Sequence, residues 1–166
     1  ADNIIFFIVF YITFIFCYLY GHLQLNIKGY EDRNIDTGGD CPGINATIRG
    51  VCKTAINHYG MEVYPGVAGN DVEPLTERSL SGLLNLGGTI LGTSREKPFK
   101  KRLSAASEDK PALMLKNIHD LGLDCIVCIG GNGTQKTAAK LAQAGVNVVS
   151  VPKTIDNDVW GTDVSF

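Results

Sequence analysis

Apolar residues recur along residues 43–59 at Ile44, Ile48, Val51, Cys52, Ala55 and Ile56, close to a 3.6-residue period, which predicts a helix. Met61 to Tyr64 predicts a short strand. Leu75 to Leu86 repeats a helical spacing, with Thr76 placed as an N-cap. Glu96 to Lys110 is densely charged and predicts a loop. Pro111 then opens a helix in the first turn, where its missing N–H is not needed, and Gly122 closes it. Cys125 to Ile129 is an unbroken apolar run that predicts a buried strand, followed by a turn from Gly130 to Gly133. Thr134 to Ala144 predicts a helix ended by Gly145, and Val146 to Val151 a strand stopped by Pro152. Strands alternating with helices predict an α/β fold, a parallel sheet covered on both faces.

The first residues do not share this pattern. Ile4 to Tyr20 carries no charge and holds five of the seven Phe and three of the six Tyr. Its length reaches the lower limit of a membrane span, about 17–25 residues. It fits a secretory signal poorly, because no basic residue precedes it. We therefore divide the chain into an apolar segment, residues 1–27, and a soluble domain, residues 28–166. The segment reads either as a membrane anchor or as an extension foreign to the domain, and the second reading predicts that the fold does not need Ile4 to Tyr20.

Composition narrows the class. The 166 residues are 45% hydrophobic and 19% charged, which excludes a disordered chain and a coiled coil. A net charge of -2 lacks the basic footprint of a nucleic-acid binder, so no nucleic-acid partner is expected. Five cysteines, an odd count, do not form a disulfide framework. Cys125 and Cys128 have C-x-x-C spacing, but three residues apart on a strand they face opposite sides of the sheet. They read as small buried hydrophobes in a reduced compartment.

Candidate chemistry gathers in Gly-rich and acidic clusters beside the predicted strands. Thr37 to Asn45 contains Gly38 and Gly39 ahead of a helix, where a backbone can approach a phosphate and a helix N-terminus can hold it. A plain βα turn explains that segment equally well. Gly130-Gly131-Asn132-Gly133-Thr134 offers the same geometry, with Asn132 or Thr134 as N-cap. In Pro152 to Asp158, Asp156 and Asp158 could hold Mg²⁺ or act as a general base, and Lys153 could hold a phosphate. An Asx-rich turn is the plainer alternative. Gly87 to Arg95 is a further Gly-rich stretch, and its Arg95 could stabilise a transferring phosphoryl group. Lys97, Lys100, Lys101 and Arg102 read instead as a solvated loop.

Taken together, these segments resemble the 6-phosphofructokinase family. TGGDCPGINATIRG (residues 37–50), LGGTILGTSR (86–95), IGGNGT (129–134) and PKTIDNDVWGTD (152–163) stand in the family's order and approximate spacing. The resemblance spans residues 37–166, about the first half of such an enzyme. It implies a three-layer αβα sandwich with a mostly parallel, Rossmann-like sheet, here truncated. It also implies phosphoryl transfer from ATP to the 1-hydroxyl of fructose 6-phosphate with Mg²⁺, in glycolysis and in the cytoplasm. The full-length enzyme would be a homo-oligomer, and this fragment alone is expected to be inactive.

By motif position, Asp156 corresponds to the general base and Thr154 to a sugar-phosphate or transferring-phosphate contact. Asp158 corresponds to an electrostatic and metal-side partner, with Asn132 as the second metal-side residue. Gly39 corresponds to a donor-phosphate contact, Arg95 to the arginine that neutralises the transferring phosphoryl group, and Gly131, Asn132, Gly133 and Thr134 to the nucleotide loop. Gly133 stands where ATP-using members have Gly and many diphosphate-using members have Asp. Lys153 is shared with diphosphate-using members and with one ATP-using subgroup, so diphosphate stays open as the alternative donor. Two departures are notable. Tyr30 to Asp36 is too polar for the strand expected ahead of the first Gly-rich loop, and Val63 to Asn70 is shorter than its counterpart. A membrane-tethered nucleotide-binding fragment without catalysis is the competing reading, and any membrane contact would run through Ile4 to Tyr20. A kinase of NAD or diacylglycerol shares the G-G-x-G-T loop but leaves residues 37–45 and the Asp156/Asp158 pair unexplained.

Overall fold

Among the described residues, four strands pair in the order β2-β1-β3-β4, every neighbour parallel. In chain order the elements are β1 (Leu25–Lys28), α1 (Ile44–Tyr59), β2 (Val63–Tyr64), a 3₁₀ turn (Leu83–Asn85), α2 (Lys110–Asp120), β3 (Cys125–Gly130), α3 (Asn132–Gln143) and β4 (Val148–Pro152). The computed structural model describes residues 25–28, 41–66, 73–92, 110–163 and 165. Ile4 to Tyr20, Tyr30 to Asp36, Gly39, Arg95 and most of the charged loop after it lie outside them. Among the described residues, no helix is long and apolar enough to cross a membrane.

Strand β3 organises the two cores. Cys125 and Val127 pack on one face with Ile44, Ile48, Cys52 and Ala55 of α1. Ile126 and Cys128 pack on the other with Met114 and Ile118 of α2 and Ala138 and Leu141 of α3. Both faces of β3 are therefore dry, which is why its sequence is apolar without alternation. The helices on its two sides give the expected αβα layering. The two thiols of the C-x-x-C pair belong to different cores, as expected, and none of the four described cysteines forms a disulfide. Burial pushes the Cys52 thiol up to about 12, which keeps it protonated and unreactive near neutral pH.

The helices end on one device. Gly60, Gly122 and Gly145 all have φ between 61 and 90°, a left-handed conformation that costs glycine little. The apolar residue after each donates its N–H back into the last turn: Met61 to Ala55 at 3.1 Å, Leu123 to Ile118 at 3.0 Å and Val146 to Leu141 at 3.1 Å.

Three expectations are corrected. Residues 75–86 do not form an α-helix; they run through turns into the short 3₁₀ segment. Thr76 does cap: its hydroxyl accepts from the Ser79 N–H at 3.3 Å while Ser79 Oγ accepts from the Thr76 N–H at 2.8 Å. That reciprocal box starts a turn, but Gly82, left-handed at φ 78°, stops it before it propagates. The helix after β3 begins at Asn132, so neither Asn132 nor Thr134 is its cap; Gly131 is, with no side-chain hydrogen bond. Finally, the expected division between residues 27 and 28 cuts through β1, which lies inside the sheet between β2 and β3.

Candidate active site

The strand order reverses direction between β1 and β3, because the chain steps from β1 to β2 on one side and later returns to β3 on the other. Open parallel sheets bind ligands at the carboxyl ends of the strands flanking such a point. Of the flanking strands, β3 carries the Gly130–Thr134 turn at its carboxyl end, and beside it the neighbouring strand β4 ends in the Lys153–Asp158 loop.

The first loop is shaped by two close approaches. A Cβ on Gly130 would lie 2.3 Å from Thr134 Oγ1 and 2.8 Å from Thr134 Cβ. Rotating Thr134 cannot relieve the second contact, so the tight passage from strand to helix needs glycine there. A Cβ on Gly131 would lie 3.4 Å from the Lys153 carbonyl, an ordinary contact. Gly133 meets nothing within 4 Å. The first turn of α3 carries no acidic residue and no side-chain cap, so its N–H groups and positive dipole end are left for an anion.

The second loop is built around Thr154. Its hydroxyl donates to Asp158 Oδ1 at 2.5 Å and accepts from the N–H of Asp156 at 3.2 Å and of Asp158 at 3.5 Å. Asn157 takes φ 52°, a conformation Asn tolerates better than most side chains. Both Asp156 and Asp158 are exposed, whereas Val159 behind them is buried and anchors the loop. Thr154, expected as a phosphate contact, is thus engaged as the organiser of the acidic loop.

The two loops are joined directly. Lys153 N–H donates to the Gly130 carbonyl at 3.0 Å, and Asn132 Nδ2 donates to the Asp158 carbonyl at 3.1 Å. The Lys153 side chain is only 4% exposed. The structure therefore brings together Gly131, Asn132, Gly133, Thr134, Lys153, Thr154, Asp156 and Asp158, while Gly39 and Arg95 lie outside the described residues.

Two residues that the sequence reading missed hold this region. Gln135 bonds to both sheet strands, and its only sequence signal is Ser150, a polar residue inside the apolar strand β4. Asn45, 3% exposed at the start of α1, donates to the Leu86 carbonyl at 3.1 Å and accepts from the Ile90 N–H at 2.9 Å. It ties the helix after the first Gly-rich cluster to the Gly87–Gly88 stretch that leads toward Arg95. Asn45→Ala removes both hydrogen bonds, and a loss of about 1–3 kcal/mol is expected, from ~0.5–1.5 kcal/mol net per bond. Urea unfolding followed by circular dichroism measures it; a change below about 0.5 kcal/mol, the range of ordinary surface substitutions, would remove the clamp.

Comparison with known proteins agrees with this geometry. The phosphofructokinase family model matches residues 34–166. An ATP-dependent 6-phosphofructokinase of Bacteroides thetaiotaomicron is 70% identical over 138 residues, covering 80% of this chain and 41% of its own length. One from Spirochaeta thermophila is 53% identical over 142 residues, covering 80% of this chain and 39% of its own. This chain thus spans about two fifths of the length of those curated relatives. Among solved structures, a phosphofructokinase of Pichia pastoris in the T-state superposes with a TM-score of 0.65 at 30% identity, covering 87% of this chain and 16% of that one. A pyrophosphate-dependent phosphofructokinase of Marinobacter aquaeolei reaches 0.64 at 22% identity, covering 86% and 36%, and shares the fold. Four motifs in order, a switch-point site built from two of them, and relatives of this similarity lead to one assignment: the chain belongs to the phosphofructokinase family.

Proposed function

We propose that these residues form the phosphoryl-donor side of an enzyme that transfers phosphate from ATP to the 1-hydroxyl of fructose 6-phosphate. One observation carries the reading. A helix N-terminus without a side-chain cap and a pair of exposed carboxylates stand side by side at the carboxyl ends of β3 and β4, joined by the Lys153–Gly130 and Asn132–Asp158 hydrogen bonds. Phosphoryl transfer needs that combination: backbone donors to hold the donor's phosphates and a base for the attacking hydroxyl, fixed relative to each other.

Each residue has a distinct task in this reading. The amides of Gly131 to Thr134 bind the donor's phosphates. Asp156 takes the proton of the attacking hydroxyl. Asp158 and the Asn132 side chain are hard oxygen donors on the two joined loops, a set that fits Mg²⁺ held by a few protein groups and substrate phosphates. Among the described residues no cluster of three His, Cys, Asp or Glu is built to hold a metal alone. Bound there, Mg²⁺ would neutralise charge on the transferring phosphate, with Asp158 and Asn132 orienting it. Gly39 and Arg95 take their donor-phosphate and charge-neutralising roles by motif position.

Gly133 supports ATP over diphosphate. Packing within the chain does not require glycine there, and glycine costs a helix about 1 kcal/mol relative to alanine. Close approach of a nucleotide accounts for it. The test is turnover by a full-length enzyme carrying this segment, supplied with fructose 6-phosphate and either ATP or diphosphate, with Mg²⁺. Fructose 1,6-bisphosphate should form with ATP at least about tenfold faster, a difference of ~1.4 kcal/mol in barrier. Faster reaction with diphosphate would overturn the donor, and no product with either would overturn the reaction.

A further inference from the structure

We propose that Gln135 is a positioning residue whose side-chain amide sets the spacing between the Gly130–Thr134 turn and the Lys153–Asp158 loop, and through it the alignment of donor and carboxylates. The alignment part rests on the function proposed above; the spacing part does not.

Gln135 sits in the first turn of α3 and reaches back across the sheet. Its Nε2 donates to the Gly130 carbonyl at 2.9 Å and, more weakly, to the Val151 carbonyl at 3.5 Å. Its Oε1 accepts from the Ser150 hydroxyl. These partners fix the amide's orientation, because the reversed amide would set its oxygen against two carbonyls. The position of these bonds matters. Gly130 pairs with Pro152 as the last step of the β3–β4 ladder, after which the strands part into the two loops. At that end the Gly130 carbonyl receives two donors, Lys153 N–H at 3.0 Å and Gln135 Nε2 at 2.9 Å. One side chain thus grips the last carbonyl of β3 and two residues of β4 at the point from which both loops depart.

The chemistry demands an amide. Glutamate has the same shape, but its carboxylate would face two carbonyl oxygens and donate to neither. Alanine would leave the grip empty. Ser150→Ala would remove one bond of the set and leave both Nε2 donations in place.

The test uses Gln135→Glu, Gln135→Ala and Ser150→Ala in a full-length enzyme carrying this segment. Hydrogen exchange read by mass spectrometry should rise in peptides covering residues 130–137 and 150–158 for both Gln135 variants, and less for Ser150→Ala. Peptides covering residues 44–59 should not change. With ATP as donor, kcat should fall by about 10–10²-fold while KM for ATP stays within about threefold, because the backbone amides remain while in-line geometry is lost. Unchanged exchange in the two loop segments, or an equal rise in residues 44–59, would overturn the positioning role. A rise confined to the loops with kcat unaltered would keep the spacing and overturn its part in alignment. If the unsubstituted enzyme transfers no phosphate, the proposed function falls, and the exchange measurements still decide whether Gln135 sets the spacing.

Discussion

Asp156→Ala, in a full-length enzyme carrying this segment, is expected to lower kcat by about 10²–10⁴-fold, the range of a positioned general base. The two carboxylates of the acidic loop are not equivalent. Asp158 Oδ1 already accepts the Thr154 hydroxyl at 2.5 Å, which fixes that side chain within the loop. Among the described residues the Asp156 carboxylate has no such partner; only its backbone N–H is engaged, by Thr154 at 3.2 Å. Its main chain is thus held while its side chain stands exposed and able to accept a proton. Asp156→Asn separates that role from packing, since it keeps the shape and removes the basicity. It should lose nearly as much kcat as the alanine variant. KM for fructose 6-phosphate should change little, because the proton is taken only as the transition state forms. Steady-state kinetics with ATP decides the matter: an asparagine variant within about threefold of the parent kcat would remove Asp156 as the base.

What could be read in the sequence was whatever a side chain announces by itself. β3, β4, α1 and α3 follow from apolar spacing because their buried faces dominate their composition. The two site loops follow from glycines and carboxylates placed after buried strands. The failures have a common cause in partners that carry no identity in the sequence. Asn45 and Gln135 look like ordinary polar positions on helices, since their hydrogen bonds reach backbone groups of Leu86, Ile90, Gly130 and Val151. Residues 75–86 have helical leucine spacing, and only Leu80 and Leu83 of that set are buried. The Thr76–Ser79 box and the left-handed Gly82 decided the backbone instead. β1 was missed for another reason. Four residues, Leu25 to Lys28, follow closely on a long uncharged run and look like its tail, and the sheet strand was sought among the polar residues 30–36.

A chain beginning at Gly29 should lose cooperative folding, whereas one beginning at Gly21 should keep it. The expected domain start at residue 28 falls inside β1. β1 pairs with β3 over four positions, Leu25 with Cys125 through Lys28 with Cys128, and with β2 at Leu25–Val63 and Asn26–Tyr64. In the order β2-β1-β3-β4, β2 has no other sheet neighbour among the described residues. Deleting β1 therefore detaches β2 and opens one edge of β3 beneath helices on both faces. Each backbone group left buried without a partner there costs about 1–3 kcal/mol. A few such groups equal the whole stability of an ordinary domain, about 5–15 kcal/mol. The form beginning at Gly21 removes Ile4 to Tyr20 and retains β1, so it separates an apolar run from a strand that the sequence joins. Its soluble yield should exceed that of the 166-residue chain, because a large apolar run promotes association. Urea unfolding by circular dichroism provides the check. A form beginning at Gly29 that unfolds cooperatively, at the same midpoint as the form beginning at Gly21, would show that β1 is dispensable and restore the boundary at residue 28.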